Sequence, residues 1–221
     1  MSIANKLLIP GSIIAAQSAN LLIQLMVPRI LAPGEFAAFS LSWAYAQFLV
    51  IFVFEWTRNA TIRFSVGADR VLALRRRRVL KRLYMLSAAG LLLLAGLAFT
   101  LGQFWPALLT LGAAAVYTAC RGLLDGSQSY ARARFLNGTF ALTWIAASIL
   151  SLILTIFFAW FSGKGVVALL GMSLAFLLSL SFHYVYRLFG KLRLPHRDRD
   201  QLRFLWRYGV FITLTAMLSA A

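Results

Sequence analysis

Twenty of the 22 basic residues in this chain fall on one side of a membrane drawn through its apolar segments. Long apolar stretches alternate with short connections, and every second connection is loaded with Arg and Lys. The loaded ones are Arg58–Arg82, Arg121–Arg134 and Arg187–Arg207, with Lys6 at the N-terminus; only Arg29 and Lys164 belong to the opposite set. Positively charged loops stay in the cytoplasm during insertion, so the N-terminus is read as cytoplasmic.

In a soluble protein a net charge of +16 would point to nucleic acid. Here 61% of the residues are hydrophobic and only 13% are charged, more apolar surface than a soluble fold of 221 residues could hide. The charge is therefore read as topogenic, with anionic lipid headgroups as its contact and no nucleic acid.

A helix needs about 20 apolar residues to cross roughly 30 Å of hydrocarbon. Spans are predicted near Pro10–Leu31, Phe36–Trp56, Leu83–Gln103, Pro106–Leu124, Phe135–Phe161 and Val166–Phe189. They read as helices, because barrel strands would alternate apolar and polar residues in segments of about ten. The fold class is an all-α polytopic bundle. Residues 1–190 form a six-helix lobe, 191–207 a basic cytoplasmic linker and 208–221 the beginning of a seventh helix. That last segment has only 14 residues, so the chain is expected to be the N-terminal part of something larger. Trp56, Trp105, Trp160 and Trp206 stand at or near span ends, where indole prefers the headgroup region. Trp43 and Trp144 lie mid-span and call for packing or a polar lumen. The first span carries amides and lacks a convincing cleavage site, so it is a retained helix rather than a signal peptide.

Reactive chemistry is sparse. The lone Cys120 excludes an internal disulfide and a cysteine metal cluster. His183 and His196 have no zinc spacing, and no phosphate-cradling glycine motif appears. No cofactor or metal is implied. The outward connections, near Ala32–Glu35, Phe104–Trp105 and Ser162–Gly165, are too short to build a catalytic domain. A transporter fits better than an enzyme.

Polar residues within the spans are the next signal. Gln17, Asn20 and Gln24 share one face of the first helix. Ser40, Trp43, Gln47, Phe54 and Arg58 form a stripe on the second. Two readings stay open for these amides with Gln47: a cavity lining with Arg58 at its inner mouth, or a hydrogen-bonded seam between the first two helices. Thr139, Thr143, Ala147, Ser151 and Thr155 make a ridge on the fifth that reads as helix packing. Glu55, Arg58, Asn59 and Arg63 cluster at the inner end of the second span, either as a snorkelling interface group or as a polar gate. Arg29 is ambiguous in the same way. Arg75, Arg76, Arg77, Arg78, Lys81 and Arg82 are read as an anionic-lipid anchor, on a short helix that Asp69 could cap. Substrate capture is the alternative.

Val27-Pro28-Arg29-Ile30-Leu31-Ala32-Pro33-Gly34-Glu35-Phe36 resembles the Arg-x-Leu-Gly-Pro-x-x-Phe-Gly segment after the first helix of polysaccharide flippases, within the multidrug/oligosaccharidyl-lipid/polysaccharide exporter superfamily. Glu55 to Arg63 is similar to that family's second-helix ending, and Arg207-Tyr208-Gly209-Val210-Phe211 to the opening of its seventh helix. Ala32 and Ala37 stand where glycine is usual, and Phe211 where proline is. The resemblance implies one lobe of a two-lobe exporter that moves lipid-diphosphate-linked oligosaccharide across the cell membrane by alternating access. Cationic cavity residues would meet the diphosphate. The partners it implies are membrane lipids, the lipid-linked substrate and membrane proteins of glycan assembly. Two rivals stay open. One is a drug or cation exporter of the same superfamily, which acidic residues buried mid-span would favour; the sequence reading finds none. The other is a non-transporting subunit of a glycan-assembly complex.

Overall fold

A computed structural model of the chain describes residues 3–64, 70–133 and 137–181. These form six α-helices: α1 Ile3–Ile30, α2 Pro33–Phe64, α3 Arg70–Leu101, α4 Ala107–Ala133, α5 Asn137–Ser162 and α6 Gly165–Ser181. Five are long and apolar enough to cross a membrane, and α6 is a shorter apolar helix. The predicted linker 191–207 and seventh-helix start 208–221 lie outside the described residues.

Two layers make up the bundle. One holds α1, α5 and α6; the other holds α2, α3 and α4, with α4 and α6 in contact between them. α4 is central because its surface is small. Ala113, Ala114, Ala115 and Ala119 are fully buried and let neighbouring helices approach closely from several sides. That matters in lipid, where packing of backbones replaces the hydrophobic force between helices. Gly122 serves α2 in the same way: a Cβ there would collide with the Phe54 ring, which itself stacks on Tyr84 of α3. α2 and α4 run parallel in a fixed register. Gln47 Nε2 donates to Tyr117 Oη at 3.2 Å, and Thr118 Oγ1 donates to the Ala46 carbonyl at 3.2 Å.

Most buried hydroxyls are satisfied by their own helix. Ser42, Thr61, Ser129, Ser148, Ser173 and Ser179 each donate to the carbonyl four residues back. This is how a span carries polar groups without exposing them to lipid. On the predicted α5 ridge, Ala147, Ser151 and Thr155 are buried, on a helix pressed between α1 and α6.

Helix ends differ from the sequence reading in two places. α4 does not stop at Leu124 but runs to Ala133, so Arg121 and Asp125 are helical residues inside the bundle rather than parts of a basic loop. Their charges are tolerated because they neutralise one another. The basic run 75–82 is not a separate surface helix either. It occupies the first turns of α3, continuous with the span. Trp56 also departs from expectation. It is buried with Ala60, Val79 and Leu80, because α3 extends far enough to cover it. Trp105 and Trp160, in contrast, are more than two-thirds exposed at helix ends.

Candidate functional site: a polar cleft between the first two helices

α1 packs against α5 and scarcely touches α2. The gap between α1 and α2 is a cleft of about 700 Å³, floored by α4. Its lining follows from helical phase. On α1 the buried packing stripe is Ser12, Ala16, Ala19, Ile23 and Val27. Gln17, Asn20 and Gln24 each follow a member of that stripe by one residue, about 100° around the helix, which turns them out of the packing face into the cleft. The same offset recurs on α2. Phe39, Ser42 and Ala46 are buried, and Ser40, Trp43 and Gln47 line the cleft.

Gln17, Asn20, Gln24 and Gln47 are thus gathered around one volume. Of the two readings open for these amides, the seam between α1 and α2 is not formed: among the described residues the three α1 amides make no side-chain hydrogen bond, because the two helices stand apart. Phe54 and Arg58 leave the stripe. They occupy the same face of α2, but deeper along the helix α3 and α4 cover Phe54, and Arg58 emerges beyond the cleft. Glu55 and Arg58 pair at 2.8 Å, and Asn59 Nδ2 donates to Glu55 Oε1 at 3.4 Å. Arg29 and Arg63 are exposed near the ends of their helices, and neither lines the cleft. On α3, Arg78 is exposed, whereas Arg76, Lys81 and Arg82 are half-buried.

Arg121, at the junction of the predicted fourth span and its basic connection, lies in the lining of the cleft. Its guanidinium carbon stands 5.0 Å from the Trp144 ring centre and 5.2 Å from that of Phe176. Its Nε lies 3.2 Å from one oxygen of Asp125 and 3.4 Å from the other. Two aromatic faces and a carboxylate therefore hold a cation inside an apolar bundle. About a quarter of its side chain remains accessible, against 7% for Asp125. With Nε committed to Asp125, the terminal nitrogens form the part of the fork available for an anion. The signal for this residue was present as Arg-x-x-x-Asp, four apart on a helix. Reading the charges as the end of the span hid it.

Trp43 and Trp144, for which the sequence asks packing or a polar lumen, take one role each. Trp43 forms one wall of the cleft, its ring tilted against Phe39 at 5.6 Å. Trp144 stacks on Phe140 and underlies Arg121. Tyr117 touches Phe176 edge-on at 5.3 Å, which sets its hydroxyl toward Gln47.

The chain matches no protein-family model, no curated protein and no solved structure.

Proposed function

We propose that the chain is one lobe of a membrane transporter for lipid-diphosphate-linked oligosaccharide in polysaccharide biosynthesis, as its sequence resemblance implies. The observation that carries this reading is the cleft itself. Amides, an indole, a phenol and one guanidinium line a groove within membrane-spanning helices, where polar groups facing lipid would be costly. A substrate with sugar hydroxyls and a diphosphate matches that lining. Arg121 replaces Arg58 as the cation best placed for the phosphate, because Arg58 lies outside the cleft and is engaged by Glu55. Arg76, Arg78, Lys81 and Arg82 stand at the end of α3 remote from the α3–α4 connection and suit anionic headgroups there.

Asp125 favours the rival cation exporter, since a buried acid inside a span is the feature that would favour that reading. Its pairing with Arg121 weighs against this, because the carboxylate already has its counter-charge. Deletion of the gene in its own host separates the two. The flippase reading expects loss of surface glycan and accumulation of the lipid-linked unit in the inner leaflet. Intact surface glycan together with new sensitivity to cationic dyes would instead support the exporter.

A further inference from the structure

The cleft has an axial order. Glu35 Oε2 accepts a hydrogen bond from the Gly165 backbone N–H at 2.8 Å, which places the α1–α2 and α5–α6 connections at one end of the bundle. Counting from that end at 1.5 Å per residue, Gln24 and Ser40 lie about 10 Å from it, Asn20, Trp43 and Tyr117 about 15 Å, and Gln17, Gln47 and Arg121 about 20 Å. The cation is therefore at the far end of the lining. Everything between it and the α1–α2 connection is uncharged: amides on the α1 side, an indole and a hydroxyl on the α2 side.

Those uncharged groups have unmet bonding capacity. Each amide offers two N–H donors and a carbonyl acceptor, so it can both donate to and accept from neighbouring hydroxyls. The three on α1 are spaced about one turn apart. Trp43 presents an aromatic ring in the wall, and its buried Nε1 has no hydrogen-bond partner. Most buried hydroxyls of the bundle donate within their own helix, whereas among the described residues the three α1 amides have no partner. An aromatic face opposite a ladder of amides, with no carboxylate in the lining, suits a neutral sugar ring: its C–H face meets the aromatic ring and its hydroxyls meet the amides.

We infer that Trp43 and the Gln17–Asn20–Gln24 ladder form a sugar subsite and Arg121 an oxyanion subsite, so that a sugar diphosphate lies lengthwise with its sugar toward the α1–α2 connection and its anionic end away from it. This rests on the flippase reading for the class of ligand, and adds its orientation and the residues that hold each part.

The test uses the 221-residue chain in nanodiscs of neutral lipid, with Cys120→Ala and a single cysteine at Gln24. The probes are a short prenyl diphosphate and the same compound carrying N-acetylglucosamine. The sugar-bearing probe is expected to slow maleimide labelling of the cysteine by about fivefold at a concentration of about four times its Kd. The sugar-free probe should leave labelling unchanged, because it sits at Arg121, about 10 Å along the cleft from the cysteine. Trp43→Leu should abolish protection by the sugar-bearing probe, and Trp43→Phe should keep it. The double variant Arg121→Gln, Asp125→Asn, which leaves no unpaired buried charge, should abolish protection in a folded protein. Equal protection by both probes, no protection by either, or protection that survives Trp43→Leu would each overturn the assignment. Gene deletion reports separately: sugar protection in the nanodisc with intact surface glycan in the host would remove the transport reading and leave the subsites standing.

Discussion

Arg121 shows how far a single side chain can depart from its sequence neighbourhood. Its charge is held by Asp125, Trp144 and Phe176, contributed by three different helices. Arg121→Gln removes one partner and leaves the Asp125 carboxylate buried alone. The expected cost is on the order of 3 kcal/mol, read as a lower melting temperature in detergent. Asp125→Asn added to that variant should restore most of the loss, since no buried charge then remains; a double variant no more stable than the single one would show that the pair is not coupled. Gly122 makes a steric counterpart. Gly122→Val drives a side chain into Phe54 and should cost about 1–3 kcal/mol, whereas Gly96→Ala, which faces open space, should be neutral or slightly stabilising. The cleft amides were legible from their spacing alone, because a helix places positions 17, 20 and 24 on one side whatever surrounds it. Arg121 was only half legible: its counter-charge Asp125 lies four residues on, but the rings that complete its place come from residues 144 and 176, far away in sequence.

At the scale of helices, their existence was legible from apolar runs and basic connections, and their ends were not. Apolar runs mark where lipid begins, not where a helix stops. α3 carries its helical backbone through the basic run, since hydrogen bonding along the helix continues beyond the hydrocarbon, and α4 continues through Arg121 and Asp125, whose charges pair inside the bundle. The contact between Glu35 and α6 was invisible in the sequence for another reason: it spans 130 residues. There the carboxylate meets an N-terminal N–H of α6 and the positive end of its dipole, at a glycine where any Cβ would strike the α2 backbone. Glu35→Ala is expected to lower stability by about 1 kcal/mol and to speed amide exchange in the first turn of α6. Exchange that stays unchanged at Val166 and Val167 would show that the cap is dispensable. Replacing Arg75–Arg78 with Gln should weaken binding to anionic vesicles by about 1 kcal/mol for each charge near the surface. Vesicle affinity equal to that of the parent would exclude these residues as a lipid contact.

Over the whole molecule, helix length and charge combine into a testable orientation. α2 and α3 each have 32 residues, about 48 Å of helix, against roughly 30 Å of hydrocarbon. The excess on both helices carries Arg58, Arg63 and the run from Arg70 to Arg82, so the α2–α3 hairpin projects its charge beyond one face. Arg29 and Lys164 are at the opposite end, next to the two connections that Glu35 and Gly165 bring together. Membrane insertion favours the basic end inside. Reporter fusions after Gly34 and after Gly163 are therefore expected outside, and one after residue 135, between α4 and α5, in the cytoplasm. Opposite compartments for Gly34 and Gly163 would be incompatible with the Glu35–Gly165 contact and would dismantle the helix arrangement. Both in the cytoplasm would leave the bundle intact and turn it over in the membrane. The amide end of the cleft would then face the cytoplasm and Arg121 would lie farther from it, so the sugar subsite rather than the oxyanion subsite would be on the cytoplasmic side.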